Sequence, residues 1–247
     1  MQVFETSSRC KWSCISLALV LALGLSTTPA QAADPGLKDE PAQTSASEKD
    51  PRLMLLEAVL LDDARLVESL LAKGVDANAR ELERGPAVVM AATENSFAAL
   101  AALLTAPKLD LEATNRNGET ALMMAAFRGH NPSVEKLIAR GAKVNRDGWT
   151  PLHYAAANGH SETMNLLIKA GADLDAESPN GTTAMMMAAR MGYLTAYQEL
   201  VLAGADPTRV NQSGLSAADY LERRGEADRA ERLRRYASAF NARNKAK

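Results

Sequence analysis

Few residues of this 247-residue chain could do chemistry, and they are scattered. Its three histidines, His130, His153 and His160, occupy different local contexts, and its two cysteines, Cys10 and Cys14, lie in the first 14 residues. A zinc or copper centre needs several such ligands converging on one ion. No H-E-x-x-H, G-x-S-x-G or phosphate-loop pattern occurs, so neither a metalloprotease, nor a serine hydrolase, nor a nucleotide site is indicated. The acid pairs Asp62-Asp63 and Asp173/Asp175 fall at turn positions, where carboxylates cap helices or face solvent. No catalytic residue, cofactor or metal is therefore expected. Methionine is the one unusual feature: the runs Met123-Met124 and Met185-Met186-Met187 are joined by Met191 one turn further on. Thioethers bind Cu(I) and absorb oxidants, so a methionine-based copper-binding or oxidant-protective envelope protein is the alternative functional class. Packing explains the runs more simply, because consecutive residues point around a helix and do not converge on an ion.

The elements that would hold these residues begin after a distinct leader. Arg9 and Lys11 precede an apolar run from Ile15 to Leu25, and Ala30-Gln31-Ala32 supplies small residues where a signal peptidase reads. This is the organisation of a secretory signal with cleavage after Ala32. The run is too short for the ~20 residues of a spanning helix. Residues 33–50, rich in Pro, Ser and charged groups, read as a disordered linker. The expected mature chain is thus exported, to the periplasm first and outside the cell second, and contains no cysteine. A formal charge of -2 offers no field to recruit nucleic acid or an anionic membrane. With 47% apolar but only 4% aromatic residues, closely packed helices are expected.

From Leu53 onward the sequence repeats. Gly74-Val-Asp-Ala-Asn78, Lys108-Leu-Asp-Leu-Glu112, Gly141-Ala-Lys-Val-Asn145, Gly171-Ala-Asp-Leu-Asp175 and Gly204-Ala-Asp-Pro-Thr208 fill one slot, starting 34, 33, 30 and 33 residues apart. A second series starts at Gly118, Gly148, Gly181 and Gly214, spaced 30, 33 and 33. The clearest unit is Asp147-Gly-Trp-Thr-Pro-Leu-His-Tyr-Ala-Ala-Ala-Asn-Gly-His160. Thr150 reads as an N-cap, Pro151 suits the first helical position, and Gly159 permits the left-handed turn that ends the helix. Met164, Leu167 and Ile168 mark the buried stripe of a second helix. Paired alanines, Ala125-Ala126, Ala155-Ala156 and Ala188-Ala189, let neighbouring helices approach closely.

These residues resemble the ankyrin-repeat family, and the chain is similar to the small ankyrin-repeat proteins that bacteria send to the periplasm. The resemblance implies an all-α solenoid of about six stacked helix-turn-helix repeats joined by hairpin-like loops, near 51–83, 84–116, 117–146, 147–179, 180–212 and 213–240, with a basic tail at 241–247. One such unit cannot bury its apolar face alone, so stacking is obligatory. The fingers entering the second and fourth repeats are expected to be short or distorted. Gly85-Pro86-Ala87 starts its repeat poorly, and the loop before Asp147 is three residues short. His153 is expected to tie adjacent loops together, and the arginines after residue 221 to solvate a capping helix.

The resemblance further implies a non-enzymatic scaffold that binds another protein through a concave face. Carried over position by position, the finger-tip candidates are Arg116, Asn117, Glu119, Arg146, Asp147, Trp149, Asn180 and Thr182. The first-helix candidates are Phe127, Arg128, Asn158, Arg190, Met191, Arg223 and Arg224. Arg128, Arg190, Arg223 and Arg224 suggest a basic stripe suited to an acidic partner, with the aromatics as anchors. No nucleic acid partner and no membrane span after cleavage are expected, and the chain is expected to be a monomer.

Overall fold

The computed structural model describes residues 50–245, so the signal segment and nearly all of the linker lie outside the described residues. Six helix pairs follow one another: α1 (Pro51–Leu60) with α2 (Ala64–Ala72), α3 (Ala87–Thr93) with α4 (Phe97–Leu103), and α5 (Ala121–Arg128) with α6 (Asn131–Ala139). Then come α7 (Pro151–Asn158) with α8 (Ser161–Lys169), α9 (Ala184–Met191) with α10 (Leu194–Ala203), and α11 (Ala217–Arg223) with α12 (Ala227–Lys245). The last helix runs past residue 240, so most of the expected tail is helical instead.

Local chemistry sets each pair. Thr120, Thr183 and Ser216 accept the N–H of Met123, Met186 and Asp219 at the starts of α5, α9 and α11, satisfying donors that the helix leaves free. Pro151 opens α7, and Gly159 ends it at φ 69°. In the first two pairs the same left-handed corner falls to Asp62 (φ 53°) and Asn95 (φ 65°), residue types that tolerate it. The Asp62 carboxylate makes use of the position, accepting the N–H of Ala99 at 2.8 Å to cap α4 of the next unit.

Packing between units is carried by the first helices. Ala125, Ala126, Ala155, Ala156, Ala188 and Ala189 are completely buried, and the row α3, α5, α7, α9, α11 is in more extensive mutual contact than the row α4, α6, α8, α10. A stack that is tighter on one row curves toward that row, which puts the first helices and the fingers beside them on the concave side. In α8 the buried stripe consists of Met164 and Leu167, with Ile168 only half-buried.

A ladder of polar side chains adds a second inter-unit link. Asn78, Glu112, Asn145 and Asp175, which end the repeated Gly-Ala-Asp slot, accept the backbone N–H of Asp110, Lys143, Asp173 and Asp206 in the following unit, each at 2.8 Å. Asn145 also donates to the Gly171 carbonyl at 2.7 Å, as Asn78 does to Lys108 at 3.0 Å. Asp175 and Asp173 thus belong to loop architecture. Burial and then the neighbouring Asp206 and Asp173 charges raise the Asp175 carboxyl above its ordinary value, against the Asp206 N–H it accepts.

The fingers differ from expectation at one of the two sites. Among the described residues, the finger entering the second unit holds the strand pairing of the chain, with β1 (Arg80–Glu81) antiparallel to β2 (Gly85–Pro86) and Arg80 opposite Pro86. Gly85 makes this possible: it adopts φ 89°, and a Cβ there would stand 3.0 Å from the Asn115 Cα of the next finger. The later fingers close with a residue pair in which the backbone N–H of Asn115, Ser178 or Asn211 donates to the carbonyl of Glu119, Thr182 or Leu215, whose own N–H returns to the first residue's side chain. The loop from 146 to 149 has no such closing pair among the described residues, consistent with its three missing residues.

Candidate partner-binding face

The side chains proposed from the sequence converge best across the third and fourth units. Asn115 organises its finger by accepting the N–H of Asn117 and Glu119, both at 3.0 Å, while its amide donates to Glu119 at 2.7 Å. Arg116 and Asn117 stand out from this turn exposed, with Arg116 3.6 Å from Glu83 of the preceding finger. Glu119 is half-buried, because its other oxygen accepts the Tyr154 hydroxyl at 2.9 Å. Burial first and the Glu119 charge second push the Tyr154 phenol well above its ordinary value.

Tyr154 joins the aromatic candidates. Its ring meets Phe127 edge-on at 6.2 Å and Trp149 at 6.4 Å; Trp149 also lies edge-on to His153 at 5.4 Å. All three of Phe127, Trp149 and Tyr154 are half-buried, so the cluster is anchored and still reachable. Arg128 lies 5.8 Å from the Phe127 ring centroid, within cation–π range, and donates to the Thr93 carbonyl. Arg146 donates to the Gly118 carbonyl at 3.2 Å, holding the short fourth finger against the third. Asn158 donates to the Phe127 carbonyl at 2.7 Å and is half-buried. Asp147 is exposed at the short tip.

Toward the C-terminus the candidates thin out. Asn180 is exposed, its side-chain oxygen accepting the Ser178 hydroxyl at 2.6 Å. Thr182 is not available as a contact: it is buried, its N–H is held by Ser178 Oγ at 3.0 Å and its carbonyl by His153 Nε2 at 2.8 Å. The finger's closing turn carries this residue inward together with Gly181 and Thr183, whereas Asn180 stays exposed. Arg190 donates to the Met187 sulfur at 3.2 Å, and Arg224 to the Arg190 carbonyl at 3.2 Å; these guanidinium groups are exposed but tethered. Met191 and Arg223 are exposed.

The histidines hold loops. His153 is buried, takes the Thr150 N–H on Nδ1 at 3.2 Å and spans to the next finger through Nε2; burial lowers its pKa against the opposing pull of the Thr182 and Ala176 carbonyls and Asp173. His160 reaches the Phe127 carbonyl at 3.0 Å. His130 stacks on Phe97 and pairs with Ser133 Oγ at 2.8 Å. Met123, Met185 and Met186 are buried core residues, and Met123 places its sulfur 3.4 Å from the Thr120 N–H, where His153 places its ring nitrogen. Among the described residues, no three His, Cys, Asp or Glu side chains are grouped to hold a metal ion, and no helix is long and apolar enough to cross a membrane.

Three contributors escaped the sequence reading. Glu83, Arg84 and Tyr154 belong to the same face, the first two lining a cleft of about 250 Å³ with Met90, Thr93, Arg116 and Asn117. The alternation Arg80-Glu-Leu-Glu-Arg84 before a glycine was a usable hairpin signal.

The stacked pairs, capped first helices and protruding fingers are matched in sequence: the family model described as ankyrin repeats (three copies) covers residues 55–147 and 134–211. The chain belongs to the ankyrin-repeat family. Repeats of this kind generally mediate protein–protein interaction. Comparison with curated proteins returns no match. Within the ankyrin stack, the half-buried rings of Phe127, Trp149 and Tyr154 and the nearby Arg128 and Arg146 form a cluster across the third and fourth repeats.

Proposed function

We propose that this ankyrin-repeat chain is an exported, non-enzymatic scaffold that holds a partner protein against its concave face, with the centre of contact at Phe127, Trp149 and Tyr154. The observation that supports this reading is that the half-buried Phe127 and Trp149 rings both meet Tyr154 edge-on, with Arg128 beside Phe127 and Arg146 bonded across to the neighbouring finger. Aromatic and arginine side chains of this kind dominate binding energy at interface centres. Because inter-repeat bonds already hold them, association costs little ordering entropy. The arginines favour an acidic partner surface, which would raise the association rate at low salt.

The test is a photocrosslinking residue placed at Trp149 and, separately, at Asn165, which is exposed on α8 of the opposite row. In the native envelope fraction the probe at 149 is expected to trap one discrete protein, lost in Arg128→Ala/Arg146→Ala; equal trapping from 165 would refute the face. Export after cleavage at Ala32 predicts that N-terminal sequencing of the exported form begins at Ala33.

A further inference from the structure

The two ends of the ankyrin stack carry apolar side chains that no neighbouring repeat covers, and their surroundings differ in charge. At the first end, α1 buries Leu55, Leu56, Ala58 and Val59 on one face. On the opposite face, Leu53 (55% exposed), Leu60 and Leu61 (78%) recur at i, i+7 and i+8 and share one stripe. From residue 50 to 63 this helix and its two ends have four acids, Asp50, Glu57, Asp62 and Asp63, against one base, Arg52. Asp50, Asp62 and Asp63 accept backbone N–H groups, which fixes where their carboxylates stand.

The other end is its complement. The step from α10 to α12 is the loosest in the row of second helices, and a groove of about 330 Å³ opens between them. Tyr197, Val201, Leu202, Leu233 and Tyr236 line it together with Arg232. Leu202 is 85% exposed at its edge. Along α12, Arg229, Arg232, Tyr236 and Phe240 recur at i, i+3, i+7 and i+11 on one face, and the last two rings pair at 6.4 Å. Arg229 and Arg235 are held by Glu226 and Glu231. Arg232 has no ion-pair partner among the described residues. From residue 232 to the end the sequence has six basic side chains and no acid.

An apolar floor with one cation, Arg232, at its edge fits a helix that presents leucines about 10 Å apart along its axis, flanked by carboxylates. The first helix of this chain is such a helix. A flat bilayer surface would meet only the rim.

We propose that copies of this chain associate head to tail, the leucine-bearing α1 of one, with its flanking acids, seated in the apolar groove between α10 and α12 of the next, beside Arg232. This replaces the monomer expected from the sequence, and it uses residues separate from the concave face. The contact is heterologous, so each added copy leaves one free head and one free tail and short chains form. A contact of this size is weak and salt-sensitive.

Sedimentation velocity of the chain from about 5 to about 500 µM, a range matched to weak association, tests the proposal. At low salt the average size is expected to grow with concentration, and less so at high salt. Leu53→Asp/Leu60→Asp removes the head and Arg232→Glu/Tyr236→Ser the tail; all four positions are exposed, and circular dichroism confirms that each variant is folded. Each variant alone is expected to stay monomeric. An equimolar mixture is expected to stop at a dimer, because only the intact tail of the first can meet the intact head of the second. Growth of either variant alone, a mixture that fails to dimerise, or a wild-type chain that remains monomeric throughout would overturn the proposal. So would a monomer that co-sediments with phosphatidylglycerol vesicles, which would assign the basic groove to a membrane surface.

Discussion

His153 offers the sharpest check on how neighbouring repeats are joined. Its ring is buried, accepts the Thr150 N–H through Nδ1 and meets the Thr182 carbonyl through Nε2, 29 residues further on. Replacing it with alanine strands a donor in its own repeat and an acceptor in the next and leaves a cavity, together about 3–5 kcal/mol. Methionine occupies the same slot at Met123, where its sulfur takes the N-cap N–H. His153→Met therefore keeps the volume and the local bond and loses only the link to Thr182, about 1–2 kcal/mol. The two variants also separate by pH. Burial holds the folded imidazole below its ordinary value of 6.5, so as pH falls through about 6.5 the unfolded chain takes up this proton first. Stability from the neutral ring is present above that pH and declines below it, by up to about 1.4 kcal/mol per unit. Urea titrations followed by circular dichroism at pH 7.5 and 5.0 measure both effects. The margin of wild type over His153→Met should shrink at the lower pH. A margin that is the same at both values, or a His153→Ala penalty below about 1 kcal/mol, would refute the reasoning.

Three further substitutions read other parts of the stack. At Gly159 a Cβ would stand 2.3 Å from the Tyr193 ring, whereas at Gly171 it meets nothing within 4 Å; Gly171→Ala should cost about 1 kcal/mol, from its positive φ alone, and Gly159→Ala clearly more, by thermal unfolding. Asp62→Asn should be nearly neutral, since asparagine tolerates the left-handed corner and keeps an acceptor for the Ala99 N–H, while Asp62→Ala should lose about 1–2 kcal/mol; equal losses would discard the inter-repeat cap. Asn145→Ala removes the bonds to Gly171 and Asp173, and hydrogen exchange should show faster opening of the loop from 171 to 175 with little change in the first two repeats, as nearest-neighbour coupling requires.

The helices were legible because their signals are local. Thr150-Pro151 and Gly159 each act within one turn of the chain, and each stands where its residue type predicted. The loops were harder. The acceptors Asn78, Glu112, Asn145 and Asp175 recur visibly, but their partners lie in the next repeat, so periodicity revealed the slot without its purpose. Gly85-Pro86 looked like a defective start because the repeat pattern expects a polar turn there. In fact the glycine's left-handed backbone and its closeness to Asn115 create a regular hairpin. Thr182 was misplaced for a similar reason: tip residues two apart point in different directions once Ser178 and Thr182 close the turn.

Charge shows how far counting can mislead about a surface. Residues 221–247 carry nine basic and four acidic side chains, yet most of the arginines on α11 and α12 are engaged locally. Arg229 pairs with Glu226, Arg234 with Asp219 and Glu222, and Arg235 with Glu231; Arg224 is tethered to the Arg190 carbonyl. Hydrogen bonds from Ser216, with Arg234 adding to them, hold the Asp219 carboxyl below its usual range, which fits its role as a cap inside this network. Exposed pairs of this kind contribute little stability, but they hold these guanidinium groups at fixed local partners. Among the described side chains, Arg223 on the first-helix row and Arg232 over the α10/α12 groove have no ion-pair partner. On the proposed concave face, Arg128 and Arg146 are the cations placed against the third and fourth repeats, beside the aromatic cluster. An acidic partner that binds the concave face should consequently be displaced by changes at Arg128 and Arg146 and be indifferent to Arg234→Ala or Arg235→Ala.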